Sequence, residues 1–253
     1  MSASSERGVS RRAAVLGTAG CAVGLLGPRA ARASAPSSAE LLSELEVISA
    51  SLHAARLDGV AWQRRVTTLL SEVDPTQLRA ALELDWRSIA AKTRREGRAE
   101  LRLEPGELRG TPEQPHFRPK LFSLRQGRAI LPHAHRHIAS VFVVLDGRAR
   151  GRHYDRLREE PDAILIRPSD DRSFAPGDCA AISDLVDNVH WFTALEDQTV
   201  LLNFSVTVPP SLRADGSSSG RVYLDPEGEQ LADGAIRAPR AKVSVLRAKY
   251  EAG

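Results

Sequence analysis

From Gly97 onward the chain is cut into short apolar runs by turn-forming residues, and this segmentation limits the available folds more than any other feature. Leu121-Phe122-Ser123-Leu124, Ala129-Ile130-Leu131, Val141 to Leu145, Ala163 to Ile166, Trp191-Phe192 and Val200 to Val208 are candidate strands. Gln126-Gly127, Asp146-Gly147, Pro176-Gly177-Asp178 and Pro209-Pro210 break them apart. Short runs at such intervals predict a sandwich or barrel rather than alternating strand and helix units. There is no glycine-rich phosphate loop, no nucleophile-elbow serine and no cysteine pair with zinc-knuckle spacing, which removes the commoner nucleotide and hydrolase readings.

Upstream the period changes. Ser37 followed by Glu40 forms a capping-box pattern, and Leu41, Leu45, Ile48 and Leu52 recur at helical steps. Val60, Val66, Leu69, Leu70 and Val73 predict a second helix. Asp74-Pro75 opens a third, expected to carry Leu78, Leu82, Trp86 and Ile89. The expected organisation is therefore an export leader over 1–35, a helical segment packing on the barrel over 36–100, and a β-barrel over 101–253.

The formal net charge of +3 invites a nucleic-acid reading, but its source is the leader. Residues 1–35 hold five arginines against Glu6, and the remainder carries 30 basic and 31 acidic residues. Without a basic domain, nucleic acid loses its main support as a partner. Ser10-Arg11-Arg12, the small apolar run from Ala13 to Gly27 and the alanine triplets near Ala33 follow the order of an export signal with a twin-arginine start. The expectation is export by the twin-arginine machinery to a periplasmic or extracellular location. The run is too short for a stable membrane span. Cys21 and Cys179 supply no disulfide framework, and Cys179 is expected to pack as a small hydrophobe.

Chemistry concentrates in Gly127 to Gly147, where His133, His135 and His137 alternate with Ala134 and Arg136. Residues two apart on a strand share a face, so His133 and His135 can offer imidazole nitrogens to one cation. His190 is a candidate third ligand. His153 lies among arginines and is expected at the surface; His53 and His116 have no evident partner in the sequence.

Gly127, His133-Ala134-His135 and Gly147 resemble the first motif of the cupins, and Asn188-Val189-His190 is similar to the second. That resemblance implies a cupin jelly-roll barrel with His133, His135 and His190 as metal ligands. The usual cupin has a glutamate five residues after the second histidine, where this chain has Ser140. A three-histidine set without that glutamate resembles thiol dioxygenases of the cysteamine dioxygenase and plant cysteine oxidase type. The similarity extends over about residues 115–225 and includes Tyr154-Asp155, Asn188 to Phe192, Pro209-Pro210 and, more loosely, Arg221-Val222-Tyr223. Arg136-His137 replaces a Pro-Gly pair, and Asn203, or alternatively Ser205, stands nearest to an aspartate of that family.

The resemblance implies a non-haem Fe(II) enzyme that oxidises a small aminothiol or an N-terminal cysteine of a peptide to a sulfinic acid with O2. Tyr154, Asp155 and Asn203 would be catalytic, and Arg136, His137 and Ser140 substrate-binding. Zn, Cu, Ni and Mn are alternative metals for an imidazole site. Three neutral imidazoles leave a divalent ion its full charge, which favours an incoming thiolate; Fe(II) can also pass an electron to oxygen, as Zn(II) cannot. The alternatives are a metal- or ligand-binding cupin module without turnover, and another three-histidine oxygenase such as one cleaving a diketone.

Overall fold

The computed structural model describes residues 36–251 apart from 73, 105, 211–212 and 214–217. The leader with Cys21, and Val73 of the second helical stripe, lie outside the described residues. Helix α1 (Ser38–His53) starts with the expected capping box: Ser37 Oγ accepts from the Glu40 backbone N–H, and Glu40 Oε2 accepts from that of Ser37 at 2.8 Å. Asp58 caps α2 (Gly59–Leu70), and Asp74 caps α3 (Pro75–Ala80). The helix expected from Pro75 through Ile89 is two helices. Asp85 accepts from the backbone N–H groups of Arg87 and Ser88 and opens α4 (Trp86–Glu96). Between α3 and α4 the backbone pairs instead with a later segment, through Arg109 N–H to Ala81 O and Glu83 N–H to Glu107 O. Gly97, at φ 79°, closes α4 in the left-handed conformation that favours glycine.

Two antiparallel sheets follow. The first contains β1 (Arg98–Arg102), β2 (Arg118–Leu124), β4 (Ile138–Asp146), β7 (Cys179–Ile182) and β9 (Thr199–Thr207), in the order β1-β2-β9-β4-β7. The second contains β3 (Ala129–Arg136), β5 (Ala149–Glu159), β6 (Ala163–Phe174), β8 (Val189–Ala194), β10 (Gly220–Tyr223), β11 (Glu229–Gln230) and β12 (Ile236–Pro239). Its order is β10-β3-β8-β5-β6-β12-β11. Strands β2-β9-β4-β7 facing β3-β8-β5-β6 form a jelly roll, the expected barrel. Helix α5 (Val243–Tyr250) follows the last strand and buries Leu246 against Ala129 and Leu131.

The first sheet is buried on both faces, which explains the unbroken apolar run Val141–Leu145. Val141, Val143, Leu202 and Phe204 pack under Leu41, Leu45, Trp62 and Val66 of the helices. Phe142, Val144 and Leu201 point the other way, into the barrel, against Phe174 and Phe192. The outer side of the second sheet carries Arg–carboxylate pairs such as Arg150–Asp171, with Nε to Oδ1 at 2.6 Å. Its polar strand β5 is consequently absent from the list of apolar runs. No helix among the described residues is long and apolar enough to cross a membrane.

Candidate metal centre

His133 and His190 are directly opposite on β3 and β8, and His135 lies two residues further along β3. A β-bulge creates this row. Ile130 is opposite Phe192 and His133 is opposite His190, so three steps on β3 match two on β8. The extra residue shifts the alternation and brings His133 onto the same inward face as Ile130.

The three imidazoles are buried, at 1%, 3% and 0% exposure for His133, His135 and His190. Their available ligand atoms all lie within 4.8 Å of one another. Nδ1–H of His133 donates to Leu131 O at 2.7 Å, and Nδ1–H of His190 donates to Asn188 O at 3.2 Å. A carbonyl oxygen only accepts, so each Nδ1 holds the proton and each Nε2 lone pair is left for a cation. His133 Nε2 lies 2.8 Å from His135 Nε2, and His190 Nε2 has no hydrogen-bond partner among the described residues. Three Nε2 atoms converging in this way fit a divalent metal, with the His135 proton carried on Nδ1 when the ion is held.

Burial, reinforced by neighbouring imidazoles, holds the pKa of His133 and of His190 well below the usual range. Burial and then the charge of Arg221 lower that of His135 to about 3. All three are thus neutral at physiological pH, the state a metal requires. Ser140, completely buried, occupies the position of the usual glutamate and brings no charge.

The other expected site residues divide between the two faces. Ser140 and Asn203 meet inside the first sheet, where Asn203 Nδ2 donates to Val141 O at 3.0 Å and lies 3.4 Å from Ser140 Oγ. Asn203 is paired with Phe142, whose ring centroid is 5.7 Å from that of His190. Ser205 instead donates to Arg118 O at 3.4 Å. Asp155 Oδ1 accepts from the Asp187 backbone N–H at 2.9 Å, just ahead of His190. Tyr154 does not join the imidazoles: its ring stacks 5.7 Å from Trp191 and packs with Val189 on the outer face. Arg136 also points outward and binds Glu159. His137 breaks the alternation, because its φ of 55° ends β3 and its backbone N–H donates to Asp184 at 2.9 Å.

His153 corrects the surface expectation. It is buried at 3% exposure, opposite His190 on β5, with its ring stacked 6.1 Å away and enclosed by Phe174 and Phe192. The small inward residues Ala149 and Gly151 earlier on β5 were the signal that could have placed it. His53 and His116 do have partners: their ring centroids are 5.1 Å apart, and His116 Nδ1 lies 2.5 Å from Glu46. Asn188, quoted above only as motif, holds the site together by donating to His135 O and Ser183 O, each at 2.9 Å. A cavity of ≈ 90 Å³ reaches His133 between β1 and β10, lined also by Arg98, Glu100, Arg221, Tyr223 and Arg247.

No sequence-family profile matches the chain, and no curated protein matches it. Among solved structures it is similar to a sugar phosphate isomerase from a cupin superfamily of Silicibacter pomeroyi, with 23% identity over 63% of this chain and 87% of that one, TM-score 0.36. KdgF from a Halomonas species is 14% identical over 47% of this chain and 86% of its own, TM-score 0.32. An 11S globulin from Wrightia tinctoria is 14% identical over 50% of this chain, TM-score 0.34, and this chain spans only 27% of its length.

Proposed function

We propose that this chain is a non-haem iron dioxygenase that oxidises a thiol to a sulfinic acid, acting on a small aminothiol or an N-terminal cysteine. The observation that carries the reading is the convergence of three neutral, buried imidazoles with no acidic side chain among them. Iron held by Nε2 of His133, His135 and His190 would supply a site for thiolate and for dioxygen. Both atoms of O2 go to sulfur, which gives up four electrons, and the thiol proton is retained as that of the sulfinic acid; no external reductant enters.

The protein's own residues set the conditions for that chemistry. Leu131 and Asn188 carbonyls fix the rings of His133 and His190. Phe142 and Phe192 pack against His190 and exclude water behind it. The cavity beside His133 provides an approach from outside. Asn203 and Ser140 offer the polar groups on the inner face of the first sheet. Export through the twin-arginine route is part of the same proposal, resting on Ser10-Arg11-Arg12 and the apolar run after it.

Anaerobically purified protein should contain stoichiometric iron and consume oxygen only when a thiol is supplied. His133→Ala, His135→Ala and His190→Ala should each lose both properties. Tight metal binding with no oxygen uptake across a panel of thiols would instead identify a binding module, and cell fractionation tests the exported location.

A further inference from the structure

We propose that the C-terminal helix α5 is the steric gate of the three-histidine centre, and that Val243 and Arg247 set the size of what passes. The inference deepens the function proposed above and rests on it for the sulfur. Of the two substrate forms given there, the small aminothiol enters and the N-terminal cysteine of a peptide does not.

The chain after β12 brings the helix to the site. Ala241 N–H donates to Tyr223 O at 3.0 Å, so α5 begins beside β10. Tyr223 is opposite His133, with ring centroids 5.9 Å apart. Val243 and Arg247 stand one turn apart on the same face of α5. With Arg98, Tyr223 and His133 they line one cavity, so a ligand that reaches His133 this way passes them.

Three attachments hold α5 over the seam between the two sheets. Leu246 is buried against Ala129 and Leu131. Lys249 Nζ and the Tyr250 hydroxyl both donate to Asp225, at 2.8 Å and 2.5 Å. The fully buried Glu251 carboxylate accepts from the Ala129 backbone N–H at 3.1 Å and pairs with Arg98. Ala129 opens β3 and Arg98 opens β1, so this one side chain ties both sheets to the end of the helix. Pulling the carboxylate away would strand a buried charge, which makes α5 a fixed rim rather than a swinging lid.

The space inside the rim is small. Pockets for drug-sized ligands run about 300–1,000 Å³, whereas this cavity has ≈ 90 Å³. That volume suits a thiol of a few heavy atoms. A peptide would have to carry its backbone past Val243 and Arg247 while its sulfur reached the imidazoles.

The test uses the cobalt(II)-loaded full chain, with thiol binding read from the sulfur-to-cobalt charge-transfer band. Its probes are 2-sulfanylethylamine and a short peptide that begins with cysteine. The wild type should bind the small thiol about a hundredfold more tightly than the peptide. Arg247 is exposed and Val243 half-buried, so substitution at either spares the core, and Glu251 keeps Arg98 and Ala129. The double variant Val243→Ala with Arg247→Ala should raise the affinity for the peptide about tenfold relative to that for the small thiol. Val243→Trp should slow the entry of azide, a probe that involves no sulfur, about tenfold at unchanged cobalt content. Equal affinities in the wild type, an unchanged ratio in the double variant, or unchanged azide entry in Val243→Trp would overturn the proposal. If neither thiol binds while azide entry is still slowed, the gate stands and the thiol reading falls. Oxygen uptake by the iron-loaded protein tests turnover separately.

Discussion

Asn188 is the residue on which the imidazole geometry most depends beyond the ligands themselves. Its side chain donates to the backbone carbonyl of His135, while its own carbonyl accepts from His190 Nδ1. One residue thereby fixes both a ligand-bearing strand and the tautomer of a second ligand. Groups that orient metal-binding imidazoles typically govern affinity strongly, so Asn188→Ala should weaken metal binding about 10- to 100-fold, as measured by competition with a chelator. Asn188→Asp changes the donor into an acceptor facing two carbonyl oxygens and should be at least as damaging. An unchanged metal affinity in Asn188→Ala would show that packing alone orients the rings.

At the scale of elements, the turn between β4 and β5 fixes the relation between the two sheets. Gly147 has φ 67°, and a Cβ there would meet Thr199 Cα at 2.9 Å, on the neighbouring strand β9. Gly147→Ala should therefore cost about 1–3 kcal/mol in urea unfolding, from left-handed strain together with displaced backbone. A second element-level feature joins β3, β5 and the chain after β12. Glu159 accepts from Arg136, Arg156 and Arg240, and these partners, Arg136 first, lower its pKa from 4.5 to about 2. A depressed carboxylate stabilises the fold above its unfolded value. That contribution should be complete at neutral pH and disappear as the pH falls from about 4.5 towards 2. Glu159→Gln should lower the melting temperature at pH 7 and make the fall between those pH values shallower. Arg136, expected from the sequence as a substrate-binding residue, has this structural task at the outer face.

For the whole molecule, the metal site joins strands that are distant in sequence, and occupation should stabilise the complete barrel. A ligand that binds only the folded chain adds about 2.7 kcal/mol at one hundred times its dissociation constant. Metal loading should accordingly raise the melting temperature of the wild type, and His190→Ala should show no such rise. A gain of equal size in that variant would place the stabilising ion elsewhere. The helices participate in the same cooperative body, because their leucines and Trp62 share a core with β4 and β9.

Local chemistry alone was enough to specify a large part of this protein. Capping residues set helix starts at Ser37 and Asp74, two-residue alternation put His133 and His135 on one face, and Ser140 left no carboxylate five residues after His135. Those features act within a few residues and leave a readable pattern. Tertiary structure decided the rest: which face turns inward, where a bulge changes the phase, and which strands become neighbours. His153 went inside because β5 pairs with β8, and Arg221 came to His135 because β10 closes on β3. A strand's period reports which side chains travel together; only pairing with the other strands determines what they face.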